Sequence, residues 1–175
     1  MIPRPRVLER IDDTFRVHSV AALLGPRQCG KTKIARMIAG QRPSTYFDLE
    51  NPVDVRCLTA PIRALEKLSD LVIIDEVQRK PDLFGPLRVL VDRPDNSARF
   101  LLLGSASPYL VKGVSETLAG RIGFTDLSGF ALNEVGAGQA EPPSGFAEGF
   151  QEPIWLPMTR QPCPGVLKEL IKTYD

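Results

Sequence analysis

The octet GPRQCGKT, residues 25–32, stands between a short apolar run and a helix-like stretch, and it limits the folds open to this chain more than any other feature. It fits the spacing GxxxxGK[ST] in the required setting of a strand before and a helix after. Gly25 and Gly30 permit backbone angles that turn successive N–H groups inward, and the new helix adds its positive end, so the segment forms a cradle for phosphate oxygens. The expected binding surface comprises Gly25, Pro26, Arg27, Gln28, Cys29, Gly30, Lys31, Thr32 and Lys33. Lys31 is placed as a point charge on β and γ phosphates, and the Thr32 hydroxyl as a ligand for Mg²⁺.

From Val20 to about Gly136 short apolar runs alternate with helix-like stretches, the pattern of a parallel sheet flanked by helices. Strands are expected at 20–24, 45–49, 71–75, 99–103 and 122–127, and helices at 31–39, 53–67, 81–91 and 108–118. The third and fourth strands are nearly unbroken Leu, Val and Ile, which suits burial on both faces at the sheet centre. The predicted fold is therefore α/β, a three-layer P-loop NTPase arrangement with a mainly parallel five-stranded sheet and helices on both faces, occupying residues 1–136. Residues 137–175 are expected to be a Gly/Pro-rich tail ending in a short amphipathic helix, where Leu167, Leu170, Ile171 and Tyr174 share one face. That face packs on the chain's own core or meets a partner, and Phe146, Phe150 and Trp155 carry the same two readings.

The run LVIIDE, residues 71–76, ends a central strand with two carboxylates at the edge where open parallel sheets bind ligands. Asp75 is expected to hold Mg²⁺ through its water shell and Glu76 to polarise an attacking water as general base. The fourth strand runs into Gly104 and Ser105. If that strand lies between the first and third, the Ser105 hydroxyl points toward the γ-phosphate or the water; alternatively Ser105 and Ser107 cap the next helix. Arg27 either reaches a phosphate or pairs with Asp75 or Glu76. Cys29, beside Lys31 at a helix start, is biased toward thiolate, and bound nucleotide would shield it.

Composition closes off other classes. Lys plus Arg number 22 and Asp plus Glu 21, so no overall field draws the chain to nucleic acid, and the cluster Arg4, Arg6, Arg10 reads as a solvated face. No apolar run approaches the roughly 18 to 20 residues that span a bilayer, and no secretory leader is visible at the start, so the cytoplasm is expected. Three widely spaced cysteines, Cys29, Cys57 and Cys163, fit free thiols better than a disulfide scaffold. His18 has no partner at metal-ligand or nucleophile spacing. An Asn-Lys-x-Asp guanine-reading motif is absent from the sequence, and the acid pair suits water activation better than a small-molecule kinase.

These motifs resemble a prokaryotic family of AAA-like P-loop ATPases whose members usually carry a separate C-terminal domain of unknown function. GPRQCGKT is similar to the family's phosphate loop, IIDEVQRKPDLFGPLRVLVD to its second motif and following helix, and FLLLGSASPYLVKGVSETLAGRIGFTDLSGFALNEVG to its sensor strand and the stretch beyond. Gln78 matches the glutamine of the Asp-Glu-x-Gln signature and Arg121 the arginine of Leu-Ala-Gly-Arg, while Lys33 stands where the family usually has a second Thr. The resemblance implies binding and hydrolysis of ATP on a five-stranded sheet with the hydrolytic strand inserted beside the phosphate-loop strand. The candidate catalytic residues are then Lys31, Glu76, Ser105 and Arg121, with Thr32 and Asp75 at Mg²⁺. Arg121 would act on the γ-phosphate in cis, act across a subunit boundary in an oligomer, or be a plain surface residue. Against the family's length the chain reads as truncated. Its partner would be an unknown protein or the missing domain, and an open site would bind Mg²⁺-ATP loosely and turn it over slowly. A catalytically idle nucleotide-binding remnant is the alternative.

Overall fold

The computed structural model describes residues 4–128. Its strands are β1 (Val20–Leu24), β2 (Ser44–Asp48), β3 (Leu71–Asp75), β4 (Arg99–Gly104) and β5 (Ile122–Asp126). All neighbouring pairs are parallel, and the order is β2-β3-β4-β1-β5, so the apolar fourth strand does lie between the first and the third. The expectation that the hydrolytic strand adjoins the phosphate-loop strand is corrected by the same order, since β4 separates β3 from β1. The predicted limits hold to one residue at each strand end.

Alternation along the strands builds two cores. Ala21 and Leu23 of β1, Ile73 of β3 and Leu101 and Leu103 of β4 face one side. They meet α1 (Pro5–Val17) through Val7, Ile11 and Phe15, and α2 (Lys31–Ala39) through Ile34, Ala35 and Ile38. Ala22, Leu24, Val72, Ile74, Phe100 and Leu102 face the other side. There they meet α4 (Pro61–Leu65), α5 (Phe84–Val91) and α6 (Pro108–Thr117). Burying each large apolar side chain contributes about 1.5–3 kcal/mol, which is why the central strands carry almost nothing polar before their last residue.

Several local expectations are corrected. Helix α1 was not foreseen. Its charged residues hide an apolar stripe at a spacing of four, and Pro5 occupies its first turn, where the missing N–H costs nothing. Arg4, read as solvated, is buried and its Nη1 donates to Ser128 O at 3.2 Å, whereas Arg6 and Arg10 are exposed. The single helix expected at 53–67 is split into α3 (Pro52–Cys57) and α4, because Pro61 cannot continue the ladder and begins a new helix instead. The helix expected at 81–91 opens with a 3₁₀ turn, Pro81–Leu83; Pro86 has no N–H to bond the carbonyl four residues back.

Of the cysteines expected as thiols, Cys29 is free and Cys57 is disulfide-bonded, and Cys163 lies outside the described residues. Number and spacing in a sequence do not say which sulfurs meet in space. The tail at 137–175 and its amphipathic helix also lie outside the described residues. Among the described residues no helix is long and apolar enough to cross a membrane.

Connections leave the sheet in opposite directions at the strand ends that matter. The chain after β1 enters α2 on one face, while the chains after β3 and β4 enter α5 and α6 on the other. A crevice therefore opens beyond the carboxyl ends of β1, β4 and β3, the usual ligand position in such sheets.

Candidate nucleotide site

The loop after β1 holds its shape through backbone constraints. Gly25 packs so closely on the segment after β5 that a Cβ there would lie 2.2 Å from Leu127 O. Gln28 (φ 62) and Gly30 (φ 97) both take left-handed angles, at a cost of roughly 1–2 kcal/mol for the glutamine. Gly30 is the N-cap of α2 and no side chain caps that helix, so its first-turn N–H groups remain available to an anion. Lys31 is buried at 6% exposure, and its Nζ donates to Gly25 O at 3.0 Å and Pro26 O at 2.7 Å. Cys29 Sγ lies 3.9 Å from the same ammonium.

The second motif closes directly on this loop. Thr32 Oγ1 donates to Asp75 Oδ2 at 2.9 Å, and the backbone N–H of Glu76 donates to Asp75 Oδ1 at 2.9 Å. Asp75 is buried at the tip of β3. Glu76 follows it at φ 56, turning the chain into a 3₁₀ turn, Val77–Arg79. A pocket of about 480 Å³ opens between them, and four cations, Arg27, Lys31, Lys33 and Arg36, line it with two acids, Glu50 and Glu76. Glu50 is paired with Arg79 at 2.8 Å. A chain of formal charge +1 thus concentrates positive charge at one crevice, as a polyphosphate requires. A cavity of about 210 Å³ before β3 and β4, at the opposite sheet end, has its Arg93 paired with Glu66 at 3.5 Å.

The structure brings together Gly25, Gly30, Lys31, Thr32, Asp75 and Glu76, and sets Arg27, Gln28 and Lys33 on the pocket wall. Arg27 is exposed, and the oxygens of Asp75 are taken by Thr32, Tyr46 and the Glu76 N–H. Ser107, not Ser105, caps α6, its Oγ accepting from Leu110 N at 3.2 Å. Ser105 is not on that pocket wall, and its backbone N–H donates to Gln78 Oε1 at 3.2 Å.

Arg121 is not brought to the loop. It precedes β5, whose start pairs with Val20 at the far end of β1, about 13 Å of strand from the loop. It is held there by Asp92, with Nη2 to Oδ2 at 2.9 Å, and by Ala119 O at 2.7 Å. The action in cis is therefore corrected, since a parallel register puts the residue before a strand at the opposite end from the loops that follow strands.

Sequence reasoning missed Tyr46, Arg36 and Glu50. The Tyr46 hydroxyl donates to Asp75 Oδ2 at 2.6 Å. Its pKa is raised strongly, first by burial and then by the hydrogen bond and negative charge of Asp75. No signal in a single sequence says that β2 lies next to β3, so none pointed to this contact.

A family model described as AAA domain matches residues 17–136. The uncharacterized proteins Rv2008c of Mycobacterium tuberculosis and Mb2031c of Mycobacterium bovis are each 49% identical to the chain over 141 residues, covering 81% of it and 32% of their own length. The chain thus spans about a third of the curated relatives it matches. Among solved structures, the Walker-type ATPase PABY2304 of Pyrococcus abyssi aligns with a TM-score of 0.59 at 17% identity, over 77% of this chain and 55% of that one. RIF2 of Saccharomyces cerevisiae aligns with a TM-score of 0.50 at 12% identity, over 82% and 64%. At such identities the likeness is one of fold.

Proposed function

The chain belongs to the AAA domain family that its residues 17–136 match, and from that premise we propose that it binds ATP and hydrolyses it in a Mg²⁺-dependent reaction. The observation that carries this reading is the Thr32–Asp75 hydrogen bond, which sets the phosphate loop against the second motif, with Lys31 and Glu76 lining one pocket. Backbone N–H groups of the loop and of the first turn of α2 bind the phosphate oxygens, and Lys31 neutralises their charge. Reaching a phosphate draws its ammonium from the carbonyls of Gly25 and Pro26, so the lysine is a preformed but exchangeable donor.

A hydroxyl and a carboxylate form a hard-oxygen donor set that fits Mg²⁺, with Thr32 and Asp75 as the residues that would hold it. Bound there, the ion supplies charge neutralisation on the phosphates. Glu76 holds the proton of the attacking water, and the Ser105 segment orients the far end of the substrate. The crevice is open on the described residues, in keeping with loose binding and slow turnover.

The test is phosphate release from the chain and from Glu76→Gln, with ATP and GTP titrations alongside. Release that ends in the variant while ATP still binds supports the hydrolase. Binding without release in either protein favours an idle nucleotide-binding module, and no binding at all rejects both.

A further inference from the structure

Gln78 uses both ends of its side-chain amide. Its Nε2 donates to Glu76 Oε2, and its Oε1 accepts from the Ser105 backbone N–H at 3.2 Å. A carboxylate only accepts and an N–H only donates, so one of the two amide orientations makes both bonds and the other makes neither. Space for this arrangement comes from Gly104, where a Cβ would lie 2.9 Å from Gln78 Oε1 and 2.8 Å from Leu110 Cδ2. The same residue of β4 is bonded to the phosphate loop, Gly25 N–H donating to Gly104 O at 3.3 Å. Glu76 itself sits at φ 56 and ψ 41, a region that a side-chain-bearing residue occupies only when its surroundings hold it. Its backbone is thus set by the turn, and the Gln78 contact sets where its carboxylate points.

We propose that Gln78 is a positioning residue that bridges the end of β4 to the Glu76 carboxylate, tying the aim of that carboxylate to the seating of the 104–105 segment against the phosphate loop. The inference rests on the reading of Glu76 as the base. A shift of the β4 end, caused by a phosphate arriving or leaving, is passed to Glu76 through one side chain. Water activation then follows occupancy of the far end of the crevice without any contact between Glu76 and Ser105.

The test uses the 175-residue chain. Steady-state phosphate release is measured over a range of ATP concentrations for wild type, Glu76→Gln, Gln78→Leu, Gln78→Glu and Gly104→Ala. Melting temperature and the exchange rate of the Ser105 amide proton are measured on the same proteins. Gln78→Leu is expected to lower kcat about 10- to 100-fold with KM for ATP within about twofold, as misaimed groups do. Gln78→Glu keeps an acceptor for the Ser105 N–H but cannot donate to Glu76, so it is expected to protect that amide like wild type and still lose kcat. Gly104→Ala, which displaces Gln78 from the β4 side, is expected to lower kcat in the same direction.

Wild-type kcat in Gln78→Glu overturns the proposal. So does a loss in Gln78→Leu that appears as raised KM or lowered melting temperature with kcat intact. Wild-type turnover in Glu76→Gln overturns the reading of Glu76 as the base, no phosphate release from the wild-type chain overturns the hydrolytic reading, and either result takes this inference with it. A dead Glu76→Gln beside unaffected Gln78 variants removes the inference alone.

Discussion

The Tyr46 hydroxyl and the Asp75 carboxylate meet at 2.6 Å, on the same oxygen that accepts from Thr32 at 2.9 Å. With the Glu76 N–H on the other oxygen, a buried carboxylate takes three donors from three different elements. Its direction is therefore set by β2, α2 and the turn after β3 together. Preorganisation of this kind lets a charged group act without first rearranging its surroundings.

Tyr46→Phe tests that contact. Loss of a hydrogen bond to a charged group is expected to lower stability by about 1–3 kcal/mol at neutral pH, read from the urea midpoint. The raised pKa of Tyr46 adds a pH signature. An unfolded tyrosine ionises near about pH 10, while the folded one stays protonated above that, so this contribution is present below about pH 10 and is lost as pH rises further. Wild type should therefore lose stability more steeply than Tyr46→Phe between about pH 10 and 11.5. Parallel curves for the two proteins would count against the contact.

Lys31→Ala is expected to weaken ATP binding by roughly 10- to 150-fold, the equivalent of one charge-assisted contact at about 1.5–3 kcal/mol. Calorimetric titration measures it. An unchanged affinity would place the phosphates away from this loop.

Two glycines should respond in opposite ways. Gly25→Ala sets a Cβ 2.2 Å from the main-chain Leu127 O, which no rotamer relieves, and is expected to cost about 1–3 kcal/mol or more. Gly40→Ala meets its nearest atoms at an ordinary 3.6 Å with right-handed backbone angles. It is expected to stabilise the protein by about 0.4–1 kcal/mol. Thermal melts of both variants give the comparison, and equal melting temperatures would contradict the close packing of the loop on the segment after β5.

Arg121→Ala is expected to leave phosphate release per chain within about twofold when the protein is dilute enough to be monomeric, because the guanidinium is engaged by Asp92 at the far end of β1. The Asp92 carboxyl, held low by its hydrogen bond from Arg121, should return toward its ordinary value in the variant, which an NMR titration reads. A large loss of turnover in dilute monomer would mean that this end of the sheet takes part in the chemistry.

Some of the site was legible because its chemistry is local. Residues 20–32 carry strand, turn and helix start within one short stretch, so Lys31 and Thr32 are placed by neighbours in sequence. The cap of α6 is decided by a distance of two residues, since helix geometry lets Ser107 and not Ser105 accept from Leu110 N. Arg121 went the other way. A conspicuous arginine at a strand boundary says nothing about which end of the sheet it occupies until the strand direction is known.

Sequence alone determined the α/β layering, because unbroken apolar strands must be covered on both faces and a phosphate loop needs a strand before it and a helix after it. Tertiary structure decided the strand order β2-β3-β4-β1-β5 and, through it, the partners of the site. Tyr46 reaches Asp75, and Gln78 joins Glu76 to Ser105, only because β2 and β4 flank β3. The Tyr46–Asp75 and Gln78–Ser105 contacts join residues 29 and 27 apart along the chain, and no local propensity encodes a pairing that is chosen by how whole strands pack.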